Sequence, residues 1–206
     1  MSKCTLTAML LAGGSSRRMG TDKATMSYAG LPLWKRQLKM LKQLSPSRVL
    51  LSAKKAKPWF PPGVEIVFDP PDARGPLSGI AAGLRRMKTS HLLVLAVDLP
   101  QMTAKHLAKL WAIAGPGVGV IPWQDNRMEP LCAIYPAEAA DLAEKTLREE
   151  NASVKRFGKY LREREQAKIY AVPSRERRLY LNMNTPSDVP AFKSARFQLM
   201  IISTQG

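Results

Sequence analysis

The chain has 206 residues, 45% of them hydrophobic and 23% charged, and this composition excludes a disordered or fibrous protein. Lys and Arg total 32 against 16 Asp and Glu, so the net charge of +16 favours anionic partners such as phosphates, nucleic acid or an acidic protein. The two cysteines, Cys4 and Cys132, exclude a disulfide framework and are predicted to be buried free thiols. Because no apolar run has the length of a membrane span or a signal sequence, we expect a cytoplasmic protein with a single domain, residues 1–206.

Along the chain, short apolar runs alternate with amphipathic stretches. Strands are predicted at residues 5–11, 48–52, 64–68, 91–97, 117–121, 131–135, 168–172 and 179–183. Helices are predicted at residues 33–44, 77–87, 103–114, 137–149 and 153–164, with another beginning at Thr185. Thr103 is the predicted N-cap of its helix. The apolar tail, residues 197–206, is a final strand, an interface or a frayed end, and the sequence leaves these alternatives open.

This alternation of strands and helices predicts a three-layer α/β fold with a mainly parallel sheet. The run at residues 91–97 contains almost no polar residue, which is typical of the middle of such a sheet. Ligands bind outside the carboxyl ends of the strands in these folds. The residues that follow strands are therefore the candidates for function.

A glycine-rich loop, residues 11–23, directly follows the first predicted strand. Gly13 and Gly14 let the backbone approach a ligand, and successive N–H groups can form a concavity that binds anions. Arg17, Arg18 and Lys23 add positive charge where a polyphosphate would lie. The spacing matches neither a P-loop nor a dinucleotide-binding fingerprint. The alternative is a tight turn flanked by surface basic residues.

Asp98 ends the most apolar predicted strand. A carboxylate in that place is costly unless it is solvated, paired or bound to metal, and it could hold Mg²⁺ in a cleft. The alternative is a carboxylate that caps the following helix.

Two further segments have weaker signals. Asp69 begins a proline-rich loop that leads to Gly79, and the small residues there allow the backbone to approach a flat base or a ribose. Asn182 and Asn184 alternate in a predicted strand, which would place both amides on one face. A structural loop and structural amides are the respective alternatives.

The remaining signals exclude several classes. His91 and His106 are predicted to lie at a strand start and on a helix surface, and neither belongs to a Ser–His–acid or Cys–His arrangement. The basic residues are spread along the chain without a nucleic-acid-binding module, so nucleic acid is not favoured as the main partner.

Taken in order, these segments resemble the molybdenum cofactor guanylyltransferases and the wider family of related nucleotidyltransferases. The resemblance covers nearly the whole chain. It is carried by Leu-Ala-Gly-Gly-x-Ser-x-Arg-Met-Gly-x-Asp-Lys at residues 11–23, Gly-Pro-Leu-x-Gly at 75–79, Asp98 with Pro100, and Asn-x-Asn-Thr-Pro at 182–186. It implies a Rossmann-like nucleotidyltransferase fold with a mainly parallel mixed sheet.

The resemblance also implies the roles of individual residues. Catalysis falls to Arg18, Lys23 and Asp98, and acceptor binding to Asn182 and Asn184. Asp98 is the implied Mg²⁺ ligand. The family usually has an asparagine where this chain has Ser52, so the nucleoside contact at that position is in doubt. The implied nucleotide-binding residues are Leu11, Ala12, Gly13, Gly14, Lys23, Ser52, Asp69, Gly79 and Asp98.

The implied reaction is transfer of GMP from GTP to molybdopterin with release of pyrophosphate. Molybdoenzymes or their chaperones would be protein partners, and the protein would be a monomer or a weak homo-oligomer. Three alternatives remain open: a transferase that uses CTP or another phosphorylated acceptor, a non-catalytic binding protein, and a nucleic-acid binder. The Gly13-Gly14 pair resembles the guanine type of loop, since cytidine-type relatives tend to have Ala-Ala-Gly.

Overall fold

The computed structural model describes residues 4–13, 22–70, 73, 75–183 and 188. In that part of the chain, one sheet contains the strands β1 (Leu6–Leu11), β4 (Arg48–Ala53), β5 (Glu65–Phe68), β6 (His91–Ala96), β7 (Gly119–Gln124), β8 (Arg127–Met128), β9 (Cys132–Pro136) and β10 (Ala167–Ala171). A small hairpin pairs β2 (Ser27–Tyr28) with β3 (Leu31–Pro32). The helices are α1 (Leu33–Lys42), α2 (Pro76–Arg86), α3 (Ala104–Ile113), α4 (Ala140–Leu147) and α5 (Val154–Glu163).

The sheet has the strand order β10-β7-β9-β6-β1-β4-β5, and β8 pairs with β7. β6, β1, β4 and β5 run parallel to one another, as do β7 and β10. β9 runs antiparallel between β6 and β7. This is the predicted mainly parallel mixed sheet. A tight turn at Asp125 and Asn126, both with positive φ, allows the chain to reverse after β7.

Helices cover both faces of the sheet, which explains why all residues of β6 are buried. Leu10, Leu93 and Leu95 face α1 and α3 in one core cluster. Met9, Leu92 and Val94 face α2, α4 and α5 in the other. Successive residues of one strand point to opposite faces, so the two clusters alternate along β1 and β6. The predicted three-layer arrangement is confirmed.

The predicted helices and strands are present in the structure except near the C-terminal end, and the short strands β2, β3 and β8 were not predicted. Thr103 caps α3 as predicted, since its side chain accepts a hydrogen bond from the His106 amide. The strand predicted at residues 179–183 is wrong, because Ser174–Tyr180 forms a 3₁₀ helix and residues 181–183 are irregular. The helix predicted from Thr185 and the apolar tail lie outside the described residues.

Two burial predictions need correction. His106 was expected on a helix surface, but it is 4% exposed, and its Nε2 lies 2.6 Å from Tyr180 Oη because the 3₁₀ helix covers α3 at this point. Cys4 is half-buried, whereas Cys132 is buried as expected. No helix in the described ranges is long and apolar enough to cross a membrane.

Candidate active site

A cavity of about 300 Å³ opens where β1, β4, β5 and β6 end. The carboxyl ends of parallel strands meet at one edge of a sheet, so the residues that follow these strands are brought together there. The lining residues are Leu11, Ala12, Gly13, Asp22, Lys23, Ser52, Lys54, Asp69, Gly75, Pro76, Gly79, Ala96, Val97, Asp98 and Leu131.

The cavity brings together the predicted nucleotide-binding residues that the structure describes. They come from separate parts of the sequence: Leu11, Ala12, Gly13, Lys23, Ser52, Asp69, Gly79 and Asp98. Gly14, Arg18 and Asn184 lie outside the described residues. Asn182 is exposed and is not part of the cavity lining. The binding roles of all these residues stay predictions.

One wall of the cavity is formed around Asp69. Ser52 Oγ donates a 2.9 Å hydrogen bond to Asp69 Oδ1. A Cβ atom on Gly13 would lie 3.1 Å from Asp69 Oδ2, and one on Gly79 would lie 3.1 Å from Oδ1 and collide with Ser52 Oγ. Burial raises the pKa of Asp69, and the hydrogen bond from Ser52 and the charge of Lys54 oppose this only in part. The two glycines therefore leave room beside a carboxyl group that is costly to ionise.

Asp22 fixes the backbone next to Lys23. Its Oδ1 accepts a 3.1 Å hydrogen bond from the Ala24 amide and so caps the 3₁₀ turn Lys23–Thr25. Its Oδ2 accepts from Trp59 Nε1 at 3.1 Å and lies 3.0 Å from Lys57 Nζ. Burial acts to raise the pKa of Asp22, but these hydrogen bonds and the charge of Lys57 outweigh it, so the pKa is lowered. Asp22 is therefore ionised, it holds the backbone beside Lys23, and the positive charge of Lys57 compensates its negative charge.

Lys23 and Asp98 form an ion pair in the lining of the cavity. Lys23 Nζ lies 3.4 Å from Asp98 Oδ2, and both side chains are about a quarter exposed, at 26% and 22%. Thr103, not Asp98, caps α3, so the alternative of a capping role for Asp98 in that helix is wrong. Asp98 is a partly solvated carboxylate at a strand end, paired with a cation that a phosphate could also bind.

The C-terminal segment reaches the same place through its backbone. The Met183 amide donates a 2.8 Å hydrogen bond to the Asp98 carbonyl, and the Met183 side chain is fully buried. Asn182 is therefore next in sequence to a residue that contacts the Asp98 loop, although its side chain is exposed. The expected strand geometry does not apply to Asn182, and Asn184 lies outside the described residues.

The sequence reasoning assigned no role to Asp22, Lys54 or Leu131, which also line the cavity. Lys54 directly follows β4, so the rule that ligands bind beyond strand ends could have identified it. Leu131 lies in the cavity lining because its carbonyl accepts a 2.7 Å hydrogen bond from the Ala96 amide, two residues before Asp98. No pattern in the sequence indicates that contact.

The chain is similar to known proteins over most of its length. Residues 8–167 match the MobA-like NTP transferase domain family. A probable molybdenum cofactor guanylyltransferase from Opitutus terrae is 34% identical over 186 residues, 89% of this chain and 92% of that protein. A relative of the same name from Rhodopirellula baltica is 31% identical and covers 92% of both chains.

Solved structures give the same result for the fold. Molybdopterin-guanine dinucleotide biosynthesis protein A from Archaeoglobus fulgidus superposes with a TM-score of 0.70 at 25% identity, over 93% of this chain and 99% of that chain. A nucleotidyl transferase from Methanothermobacter superposes with a TM-score of 0.72 over 95% and 99% of the two chains, but at 17% identity it supports the fold alone. Sequence and structure together establish that this chain belongs to the MobA-like NTP transferase family and is a nucleotidyltransferase.

Proposed function

We propose that this protein transfers GMP from GTP to the terminal phosphate of molybdopterin and releases pyrophosphate. The observation that carries the proposal is the cavity in which Lys23, Asp69 and Asp98 converge beside Gly13. The relatives from Opitutus terrae and Rhodopirellula baltica, both named probable molybdenum cofactor guanylyltransferases, support guanine as the base and molybdopterin as the acceptor. The Gly13-Gly14 pair supports the same choice of nucleotide.

The reaction needs no protein nucleophile. An oxygen of the acceptor phosphate forms a bond to the α-phosphorus of GTP, the bond from that phosphorus to the bridging oxygen of the β-phosphate breaks, and the electron pair leaves with pyrophosphate. The protein's contribution is positioning and charge stabilisation. Lys23 would exchange its contact with Asp98 for the departing phosphates. Arg18 would add a second cation, a role that rests on its motif because it lies outside the described residues.

The charges of the cavity favour a divalent cation. Lys57 compensates Asp22, so in the described lining the carboxylates Asp69 and Asp98 stand against Lys23 and Lys54, with no excess positive charge. A triphosphate would add further negative charge. The described residues contain no cluster of three His, Cys, Asp or Glu that could hold a metal alone.

This donor set fits Mg²⁺, which is usually held by one or two carboxylates together with substrate phosphates and water. Asp98 would be its carboxylate ligand. When bound, the metal would neutralise charge on the phosphate oxygens. The chain's own residues would hold the nucleotide and orient it for attack.

Thermal denaturation with each of the four nucleoside triphosphates, with and without Mg²⁺, tests the choice of nucleotide. A ligand at 100 times its dissociation constant should add about 2.7 kcal/mol to the free energy of unfolding. GTP with Mg²⁺ is expected to give the largest increase in Tm. An equal or larger increase with CTP would indicate a cytidylyltransferase.

Pyrophosphate release then tests turnover. We expect release from GTP only when molybdopterin is also present. Stabilisation by GTP without pyrophosphate release under those conditions would indicate a binding protein and contradict the proposal.

A further inference from the structure

Three consecutive backbone carbonyls hold the loop that carries Asp98. The Asp98 carbonyl accepts from the Met183 amide at 2.8 Å. The Leu99 carbonyl accepts from Gln37 Nε2 at 2.6 Å, and the Pro100 carbonyl accepts from Arg36 Nε at 2.8 Å. Two of the three donors are neighbouring side chains at the start of α1, more than 60 residues away in sequence. The Met102 amide adds a local 3.2 Å hydrogen bond to the Leu99 carbonyl, and the other three donors come from outside the segment.

Gln37 is an unusual residue for its surroundings. It lies in the core between α1 and the sheet, beside Leu33, Leu38 and Leu41, and is fully buried. Its Oε1 has no hydrogen-bond partner in the described part of the chain. An unsatisfied buried amide oxygen destabilises a fold, and a methionine of similar size would fill this place without that cost. The favourable contact of Gln37 is its donation to the Leu99 carbonyl.

The same helix also contacts the segment that carries Lys23. The guanidinium of Arg36 lies over the ring of Tyr28, 5.2 Å from its centroid. The Leu33 amide donates a 2.9 Å hydrogen bond to the Met26 carbonyl, just after the turn that Lys23 begins. The start of α1 thus contacts both segments whose side chains meet as the Lys23–Asp98 pair.

We propose that Gln37 and Arg36 are positioning residues, which fix the backbone of residues 98–100 and thereby aim the Asp98 carboxylate at the phosphates and metal. A buried polar group that costs stability needs an explanation, and a role in function is one. The proposal rests on the proposed function only in assigning Asp98 a role in the reaction. It adds that the role depends on a side chain outside the cavity.

The decisive variant is Gln37→Met. It removes the unsatisfied Oε1 and one hydrogen bond to the Leu99 carbonyl, which still accepts a 3.2 Å hydrogen bond from the Met102 amide, so we expect its Tm to be close to that of the wild type. Because small misplacements of catalytic groups are costly, turnover should fall by about 10- to 100-fold. The Mg²⁺ concentration for half-maximal pyrophosphate release should rise. In an Asp98→Asn background, Gln37→Met should cause no further loss.

Gln124→Met is the matched control. Gln124 is also buried with an unpartnered Oε1, but its Nε2 donates to Glu129 rather than to the Asp98 loop. This variant should not alter the Mg²⁺ requirement. A second readout is Mn²⁺ affinity, measured by electron paramagnetic resonance in the presence of GTP. It should be weakened by Gln37→Met and not by Gln124→Met.

Two results would overturn the proposal. A folded Gln37→Met protein with wild-type turnover, metal requirement and Mn²⁺ affinity would overturn the proposal, and so would a loss of stability without a change in metal dependence. If Gln37→Met does not fold, Arg36→Met replaces it, with Lys39→Met on the exposed side of the same helix as its control. If molybdopterin is not the acceptor, the proposed function fails, but the Mn²⁺ comparison still tests the positioning role.

Discussion

Replacing Gly79 with alanine is expected to weaken nucleotide binding in addition to destabilising the protein. Gly79 lies in the first half of α2 and faces the cavity. The added Cβ would collide with Ser52 Oγ and lie 3.1 Å from Asp69 Oδ1 and 3.3 Å from Leu11 Cδ2. Ser52 is 2% exposed and has little room, so it would have to rotate away from Asp69.

The magnitude follows from two opposing effects. A hydrogen bond to a charged group contributes about 1.5–3 kcal/mol, and rotation of Ser52 would remove it. Alanine is more favourable than glycine inside a helix by about 0.5–1 kcal/mol. The net loss of stability should therefore be about 0.5–2.5 kcal/mol. Because the methyl group also occupies space at the predicted base or ribose contact, we expect a loss of affinity of at least about tenfold, or 1.4 kcal/mol.

Isothermal titration calorimetry with GTP and Mg²⁺ measures the affinity, and denaturant unfolding measures the stability. Gly83→Ala is the matched control, because Gly83 is buried on the same helix but faces the core. Its Cβ would lie 2.6 Å from Met9 Sδ and 2.8 Å from Met9 Cε, the end of a flexible side chain. It should reduce stability without changing affinity. Nucleotide binding by Gly79→Ala as tight as that by Gly83→Ala would refute a nucleotide contact at Gly79.

Three further predictions concern the charged groups of the cavity. Lys23→Ala should lower nucleotide affinity or turnover by about 1.5–3 kcal/mol, as measured by calorimetry and pyrophosphate release. Wild-type values for both would show that Lys23 is a surface lysine with no role in binding or turnover. Asp98→Asn should fold normally and lose most turnover, part of which should return at high Mg²⁺, whereas full activity at low Mg²⁺ would exclude its metal role. Asp69→Asn should be more stable than the wild type at neutral pH. The pKa of Asp69 is raised in the folded state, so its carboxyl favours folding at low pH, and this advantage is lost as the pH rises through that pKa. The difference in stability between Asp69→Asn and the wild type, measured by urea unfolding between pH 3 and 7, should vanish at the acidic end. A difference that stays constant over this range would contradict a raised pKa for Asp69.

Local patterns in the sequence were sufficient to predict most of the fold. The uninterrupted apolar run of β6 and the helical spacing of α1 identify buried elements because periodicity depends only on neighbouring residues. The Thr103 cap was predictable for the same reason. The rule that ligands bind beyond strand ends, together with the family motifs, selected residues that do converge in one cavity, among them Gly13, Lys23 and Asp98.

Contacts between distant segments were decided by the tertiary structure. A buried strand has the same apolar pattern in either direction, so the antiparallel placement of β9 depended on its partners. The burial of His106 depended on a 3₁₀ helix about 70 residues later, where a strand was expected. No local sequence pattern indicates the hydrogen bond from Trp59 to Asp22 or the one from Gln37 to the Leu99 carbonyl. Their donors and acceptors are far apart in sequence and meet only when the chain folds. The sequence alone determined which residues are available to the site, and the tertiary structure decided which of them hold the site in place.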